Sequence, residues 1–392
     1  MQNYLKASGG WLLRAVTLAV IFGLLAAAPN PFSRNRRESV PEEEIIHIGE
    51  PQTVETTDEH ICMHTRVTDE VDEGKIQHTF IMVREMGAAW VTEYLPWAYI
   101  ETRPGEYDWT HPDRILKHIE NQGIIPIIRL GFVPDWLRPE ANDQYTNANY
   151  LTEEAIQHYV DFVAAFVERY QGRVNYIIIW NEPNLNLEWS REGANPVEYT
   201  DLLKRAYEAA HAANPDIVVL GGALAPTTEP PQGTGGWNDI DFLNEMYRAG
   251  AAPYFDALAA HVYGFTEPPQ AEPGYNRLNF RRMELLREVM VRHGDAAKPI
   301  YITEAGWNDH PRWIHAVRPG QRIAYTLDAY DYLSKNWNYV KTLCLWAFRY
   351  PAPTNSYPDY FTFVSARFDP RPIYEVLKAY AHGEELPEWL IQ

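Results

Sequence analysis

Two stretches of this sequence place a glutamate directly after a run of apolar residues. Tyr176-Ile177-Ile178-Ile179-Trp180 leads into Asn181-Glu182-Pro183-Asn184, and Ile300-Tyr301-Ile302-Thr303 leads into Glu304-Ala305-Gly306-Trp307. Short continuous apolar runs of this kind read as buried strands. A carboxyl group at the end of each, facing the other across a cleft, is the minimum equipment for splitting an acetal. One group, protonated, gives the leaving oxygen its proton; the other, ionised, attacks the anomeric carbon. Burial and mutual repulsion can separate two carboxyl pKa values enough for both roles at one pH. A lone glutamate at a strand end is usually a solvated rim residue. Two in matching places, each bracketed by Trp, Asn, Pro or Gly, point to chemistry.

Such a pair needs a scaffold that presents several strand ends to one mouth. Strand-like runs fall near His60–Thr65, Ala89–Glu93, Ile124–Leu130, Val174–Trp180, Ile217–Gly221, Phe255–Val262, Pro299–Thr303 and Val340–Ala347. Each is followed by a helical pattern. One example is Glu153–Tyr170, where Ile156, Val160, Val163, Val167 and Tyr170 recur at helical spacing behind a capping Thr152. Another opens Asn195-Pro196-Val197-Glu198, an Asn cap before Pro at the first helical position. A third is expected over Arg277–His293. Eight strand–helix units predict an α/β fold, a (β/α)8 TIM barrel forming a single catalytic domain over 58–383. An open doubly wound sheet is disfavoured, because Gly233-Thr234-Gly235-Gly236 lacks the spacing of a phosphate loop and lies far past the fifth strand. In a barrel, reactive groups gather at the C-terminal ends of the strands, which is where Glu182 and Glu304 fall.

The chain has 392 residues, 46% hydrophobic and 22% charged, which are globular values. Thirteen Trp and 25 Tyr offer flat platforms with polar tips for the apolar faces of sugar rings. The formal charge of −19 and the lack of a basic stripe exclude a nucleic-acid partner. Residues 1–28 read as a signal peptide or signal anchor, with the apolar segment from Trp11 to Ala28 broken only by Arg14. Export to an extracellular or cell-surface location is expected, with membrane attachment through residues 11–28 as the alternative to cleavage. Residues 29–57 read as a linker or mobile arm and 384–392 as a tail. The two cysteines, Cys62 and Cys344, fall in the first and last strands, which are neighbours in a closed barrel. A bridge is conceivable there, but buried free thiols are the favoured reading, since disulfide geometry is strict.

The two glutamate motifs also carry a resemblance. Trp180-Asn181-Glu182-Pro183-Asn184 resembles the acid/base motif of the large clan of retaining β/α-barrel glycosidases, and Thr303-Glu304-Ala305-Gly306-Trp307 resembles its nucleophile motif. The likeness is greatest to the cellulase-like and family-39 groups and extends over most of residues 58 to 383. Trp97-Ala98-Tyr99-Ile100-Glu101, followed by Pro104 to Trp109, is similar to the clan's loop after strand two. Asp256 through Gly264 is similar to strand six, Leu345-Trp346-Ala347 to strand eight, and Arg371-Pro372 to the entry of the last helix. The resemblance implies a retaining glycosidase that needs no cofactor or metal and acts on an oligo- or polysaccharide. It implies Glu182 as general acid and then base, Glu304 as nucleophile, and Asn181 as the partner of the sugar 2-hydroxyl. Tyr263 would hold Glu304, with His261 on the same strand face, and Trp346 would form the floor under the sugar. One departure stands out: Thr92 occupies the place where clan members often carry an Arg beside the nucleophile, and Arg129 is the candidate substitute.

Other features admit two readings. Trp97, Trp136 and Trp307 follow strands two, three and seven, where sugar stacking competes with ordinary packing. His60, Cys62 and His64 alternate on one strand, but three ligands along one strand rarely converge on one ion; polar filling of the barrel mouth is preferred. The segment Pro230–Trp237 shapes the cleft or is mobile. A transglycosidase would use the same residues, and a non-catalytic carbohydrate-binding barrel would use the cleft without turnover.

Overall fold

The computed structural model describes residues 46, 48–138, 151–189 and 193–386. The proposed targeting segment lies outside them. Among the described residues no helix is long and apolar enough to cross a membrane. The strands are β1 (Ile61–His64), β2 (Trp90–Pro96), β3 (Glu101–Arg103), β4 (Glu106–Tyr107), β5 (Ile125–Gly131), β6 (Tyr176–Ile179), β7 (Val218–Leu224), β8 (Ala257–Tyr263), β9 (Ile300–Gly306) and β10 (Val340–Leu345). Eight of them close into a parallel barrel in the order β1-β10-β9-β8-β7-β6-β5-β2. β3 and β4 form a small hairpin after β2, turning at Gly105 with a φ of 73°.

Alternation along each strand sends one set of side chains inward and the other toward the helices. The inward set includes Cys62, Ile127, Ile178, Leu220, Ala257, Ala259 and Cys344, closed at the bottom by Trp90, Tyr176 and Tyr301. The outward set packs on the helices. On Glu153–Arg169, the stripe Tyr159, Phe162, Val163 and Phe166 is fully buried. Each such side chain stabilises the fold by roughly 1.5–3 kcal/mol. Thr152 caps this helix through Ala155 N, and Asn195 caps Pro196–Ala213 through Val197 N and Glu198 N.

Three expectations need revision or extension. Cys62 and Cys344 are joined in a disulfide, not free thiols. The parallel register of β1 and β10 sets these two residues directly opposite each other in one inward layer; the sequence shows both strands but not that register. The helix expected over Arg277–His293 is an α-helix only from Met283 to Arg292. Ahead of it, buried Arg282 pairs with Asp239 at 2.6 Å and takes the carbonyls of Gly274, Tyr275 and Arg277, which fixes that stretch as a loop. The end of the supposed arm is tied to the barrel, with Gln52 N bonded to Asn121 O and Thr57 N to Ala381 O.

Candidate active site

The barrel mouth opens into a cavity of about 590 Å³ whose wall includes Glu182, Glu304, Asn181, Tyr263 and Trp346. Glu182 follows β6 in a turn where Trp180 and Glu182 both take positive φ, 71° and 42°. Non-glycine residues hold that conformation only when their surroundings enforce it. Here Glu182 N bonds Ala223 O at 3.1 Å. Buried Asn184 donates to Ala225 O and Trp237 O and accepts from Ala225 N. The segment Pro230–Trp237 packs on this turn: Asn186 reaches Gly233 O and Thr234 O, and Gly236 approaches Asn184 so closely that a side chain there would not fit.

Glu304, near the end of β9, is almost fully enclosed. Its Oε1 accepts from Arg129 Nη1 at 2.5 Å and its Oε2 from the Tyr263 hydroxyl at 2.8 Å. Arg129 rises from β5, and the same Nη1 reaches Asn181 Oδ1 at 2.6 Å. The cation that Thr92 does not supply therefore arrives from the neighbouring strand. Thr92 instead turns its hydroxyl to Cys344 Sγ. Burial alone would raise the Glu304 pKa, but His261 and Arg129 beside it hold it down to about 2. The carboxylate is thus ionised across neutral pH. Burial, followed by Glu304 and Glu182, pushes the Tyr263 phenol far above its usual range, so it stays a donor.

His261, inward-facing on β8, places Nδ1 2.8 Å from Glu182 Oε1 and 3.6 Å from Glu304 Oε2. One atom each of Glu182, His261 and Glu304 lie within 4.8 Å of one another. That spacing could suit a metal ion, but Arg129 sets a permanent cation on the same Glu304 carboxylate and disfavours a second positive charge there. His64 accepts from Arg129 Nη2 at 3.3 Å. Burial and then Arg129 push its pKa well below the ordinary value, so the ring is neutral. Its edge meets Trp346 at 4.4 Å. Cys62 is bridged and His60 pairs with Asp58, so the set His60, Cys62, His64 does not converge.

Three expected sugar platforms lie away from the cavity. Trp97 is buried against Tyr159 and Phe162 and donates to Glu101. Trp136 donates to Glu101 O and meets His158 edge-on. Trp307 is 2% exposed and rests on Gly264, where even a methyl group would strike the indole. Aromatic rings do line the mouth, from residues the sequence reading passed over. Trp313 stacks on Tyr357 at 4.7 Å, and the Arg66 guanidinium lies over both Trp346 and Tyr350. Glu188 adds a third carboxyl to the wall, its pKa raised by burial and then by Glu182. The usable signal was position: Arg66, Trp313 and Tyr350 all lie in segments that follow barrel-strand ends, Trp313 in the same segment as Trp307.

Solved structures share this fold. A family 39 glycoside hydrolase from the gut symbiont Bacteroides cellulosilyticus WH2 superposes with a TM-score of 0.63 at 22% identity, over 85% of this chain and 65% of that one. The chain thus spans just under two thirds of that protein's length. A monomeric beta-xylosidase from Caulobacter crescentus CB15 gives 0.58 at 18% identity, covering 84% and 71%. Xylanase 10B from Thermotoga maritima gives 0.52 at 16%, covering 82% and 93%. No curated protein sequence matches the chain. The sequence model of Glycosyl hydrolases family 39 matches residues 75–350, more than half of the chain, and the chain belongs to that family.

Proposed function

We propose that this protein hydrolyses β-linked O-glycosidic bonds with net retention, using Glu304 as nucleophile and Glu182 as general acid and then base. The observation that carries the reading is the separation of the two carboxylates. An oxygen of one lies within 4.8 Å of an oxygen of the other. Retaining pairs sit about 5–5.5 Å apart, whereas inverting pairs leave roughly 6.5–9.5 Å for a water. The two environments differ in the way the roles require. Glu304 is enclosed, ionised and held by a guanidinium and a phenol. Glu182 is hydrogen-bonded by the His261 ring and keeps contact with solvent, its side chain 19% exposed.

In the first step a Glu304 oxygen attacks the anomeric carbon while Glu182 delivers a proton to the leaving oxygen, giving a glycosyl ester. In the second, Glu182 takes a proton from water, which attacks the same carbon and releases Glu304. Arg129 and Tyr263 orient the nucleophile. Asn181, its Oδ1 fixed by Arg129 and its side chain also hydrogen-bonded to Glu188, has one amide N–H left to offer the sugar 2-hydroxyl. Trp346 forms the floor of the cleft, where a sugar's apolar face can rest. The substrate is an oligo- or polysaccharide. We further propose that the protein is exported, with residues 1–28 as signal or anchor. The Cys62–Cys344 bridge supports this, because such bonds persist in oxidising compartments.

The test is turnover of para-nitrophenyl β-xyloside, β-glucoside and related aryl glycosides by the full chain, with the anomer of the first product read by NMR. Glu304→Ala is expected to remove turnover almost completely. Glu182→Gln is expected to slow substrates with poor leaving groups far more than those with good ones, since general acid catalysis contributes about 10²–10⁴-fold. Ordinary rates in Glu304→Ala, or an inverted first product, would overturn the reading.

A further inference from the structure

Beside the catalytic cavity lies a second depression of about 450 Å³, and the two share one residue, Trp313. Their walls alternate along the chain. Phe265, Asn308 and His315 face the cavity, while their neighbours Thr266, Asp309 and Ala316 face the depression. The boundary is therefore a thin ridge made of two loops, those after β8 and β9, with Trp313 as its crest. The Trp313 ring is braced from one side by Tyr357, stacked at 4.7 Å and 19°. A sugar chain leaving the cavity in this direction would cross that indole.

The depression is equipped for hydroxyl groups. His310 Nδ1 accepts from Arg312 N, so the ring proton sits on Nε2 and is available to donate. Asp309 spends one oxygen on Arg322 and keeps the other. Arg318 is exposed; its backbone N–H donates to the Gln321 side chain and its carbonyl accepts from Arg322 N, while among the described residues its guanidinium pairs with no carboxylate or carbonyl. Charged planar groups beside an aromatic ring are the chemistry that holds a pyranose: hydrogen bonds around the edge and an apolar face against the ring.

We infer that this depression is a further saccharide subsite, separated from the catalytic carboxylates by Trp313, so that the protein binds an oligosaccharide rather than a single glycoside. This rests on the hydrolase reading above. It adds that binding energy is drawn from a sugar unit beyond the cavity.

The experiment uses the full chain with xylo- and gluco-oligosaccharides of increasing length, beside the matching para-nitrophenyl monoglycosides. In the native protein kcat/KM rises with chain length. In Arg318→Ala the ratio of kcat/KM for the longest to the shortest substrate falls by about tenfold, the loss of one charge-assisted hydrogen bond, and in His310→Ala by about fivefold, the loss of one between neutral groups. Calorimetric affinities of the same oligosaccharides for Glu304→Ala, which need no turnover, fall in parallel when either substitution is added. A chain-length dependence that is flat in the native protein, or equally steep in both variants, overturns the subsite. If nothing is hydrolysed yet affinity for Glu304→Ala still rises with length and falls on Arg318→Ala, the subsite stands and the hydrolase reading fails. If neither rate nor affinity depends on length, the subsite is refuted.

Discussion

Replacing Arg129 with Met removes the guanidinium while keeping most of the side-chain volume. In the native protein Arg129 and Glu304 form a 2.5 Å ion pair with side chains 5% and 9% exposed, so solvent screens it little. Removing one partner of such a buried pair costs about 3–5 kcal/mol if the other stays charged. The alternative is for Glu304 to take up a proton. Its folded pKa of about 2 lies below the ordinary 4.5. The ionised group therefore contributes stability that is present above the ordinary value and lost as pH falls toward 2. Loss of Arg129 should raise the folded pKa by roughly 1–3 units. The acid limb of the kcat/KM profile then moves to higher pH by that amount. The acid dependence of stability shrinks at the same time, because folded and unfolded pKa values come closer together. At the optimum, kcat/KM should drop about 10²–10³-fold, comparable to removing one preorganised donor from a site of developing charge. The assay is kcat/KM against pH on an aryl glycoside, with the melting temperature followed at each pH. An acid limb that stays in place, with a loss of less than about tenfold, would refute the assignment of Arg129 as the counter-ion of Glu304 and with it the proposed role of that pair.

Three more outcomes follow from positions of side chains. Trp346→Ala should raise KM or lower kcat/KM with a modest change in melting temperature, because the ring lines the cavity. Trp307→Ala should instead lose about 3–5 kcal/mol of stability, since its indole is buried beside Gly264 and Phe280; a KM change without destabilisation would place it in the cleft after all. Cys62→Ser with Cys344→Ser should lower the urea midpoint. The bridge spans 282 residues, and restoring that freedom to the unfolded chain is worth about 5 kcal/mol on the loop-entropy account. An unchanged midpoint would contradict it.

The barrel was legible because most of its strands contain short apolar runs, punctuated by glycines at helix ends such as Gly87, Gly123 and Gly250, all with positive φ. Glu182 and Glu304 were legible for a related reason: a polar residue that abruptly ends such a run has few roles besides facing the mouth. What the sequence hid is pairing between distant strands. Arg129 meets Glu304 across 175 positions, and Cys62 meets Cys344 across 282. Neither is a local pattern, and both depend on register. The tryptophans failed for another reason. Whether an indole in a loop faces sugar or core depends on its neighbour across space. For Trp307 that neighbour is Gly264, and for Trp97 it is the aromatic stripe at Tyr159 and Phe162.

The bridge between the first and last barrel strands also makes the chain from Cys62 to Cys344 a covalent ring. A single cut in any loop of that ring, by an external protease for instance, would leave one connected molecule rather than two fragments. The cut product would migrate as an intact chain until reduced, and the carboxylates at Glu182 and Glu304 would remain on the same body. Wherever proteases are abundant, a ring is a form of damage tolerance that an unbridged barrel of equal stability would lack.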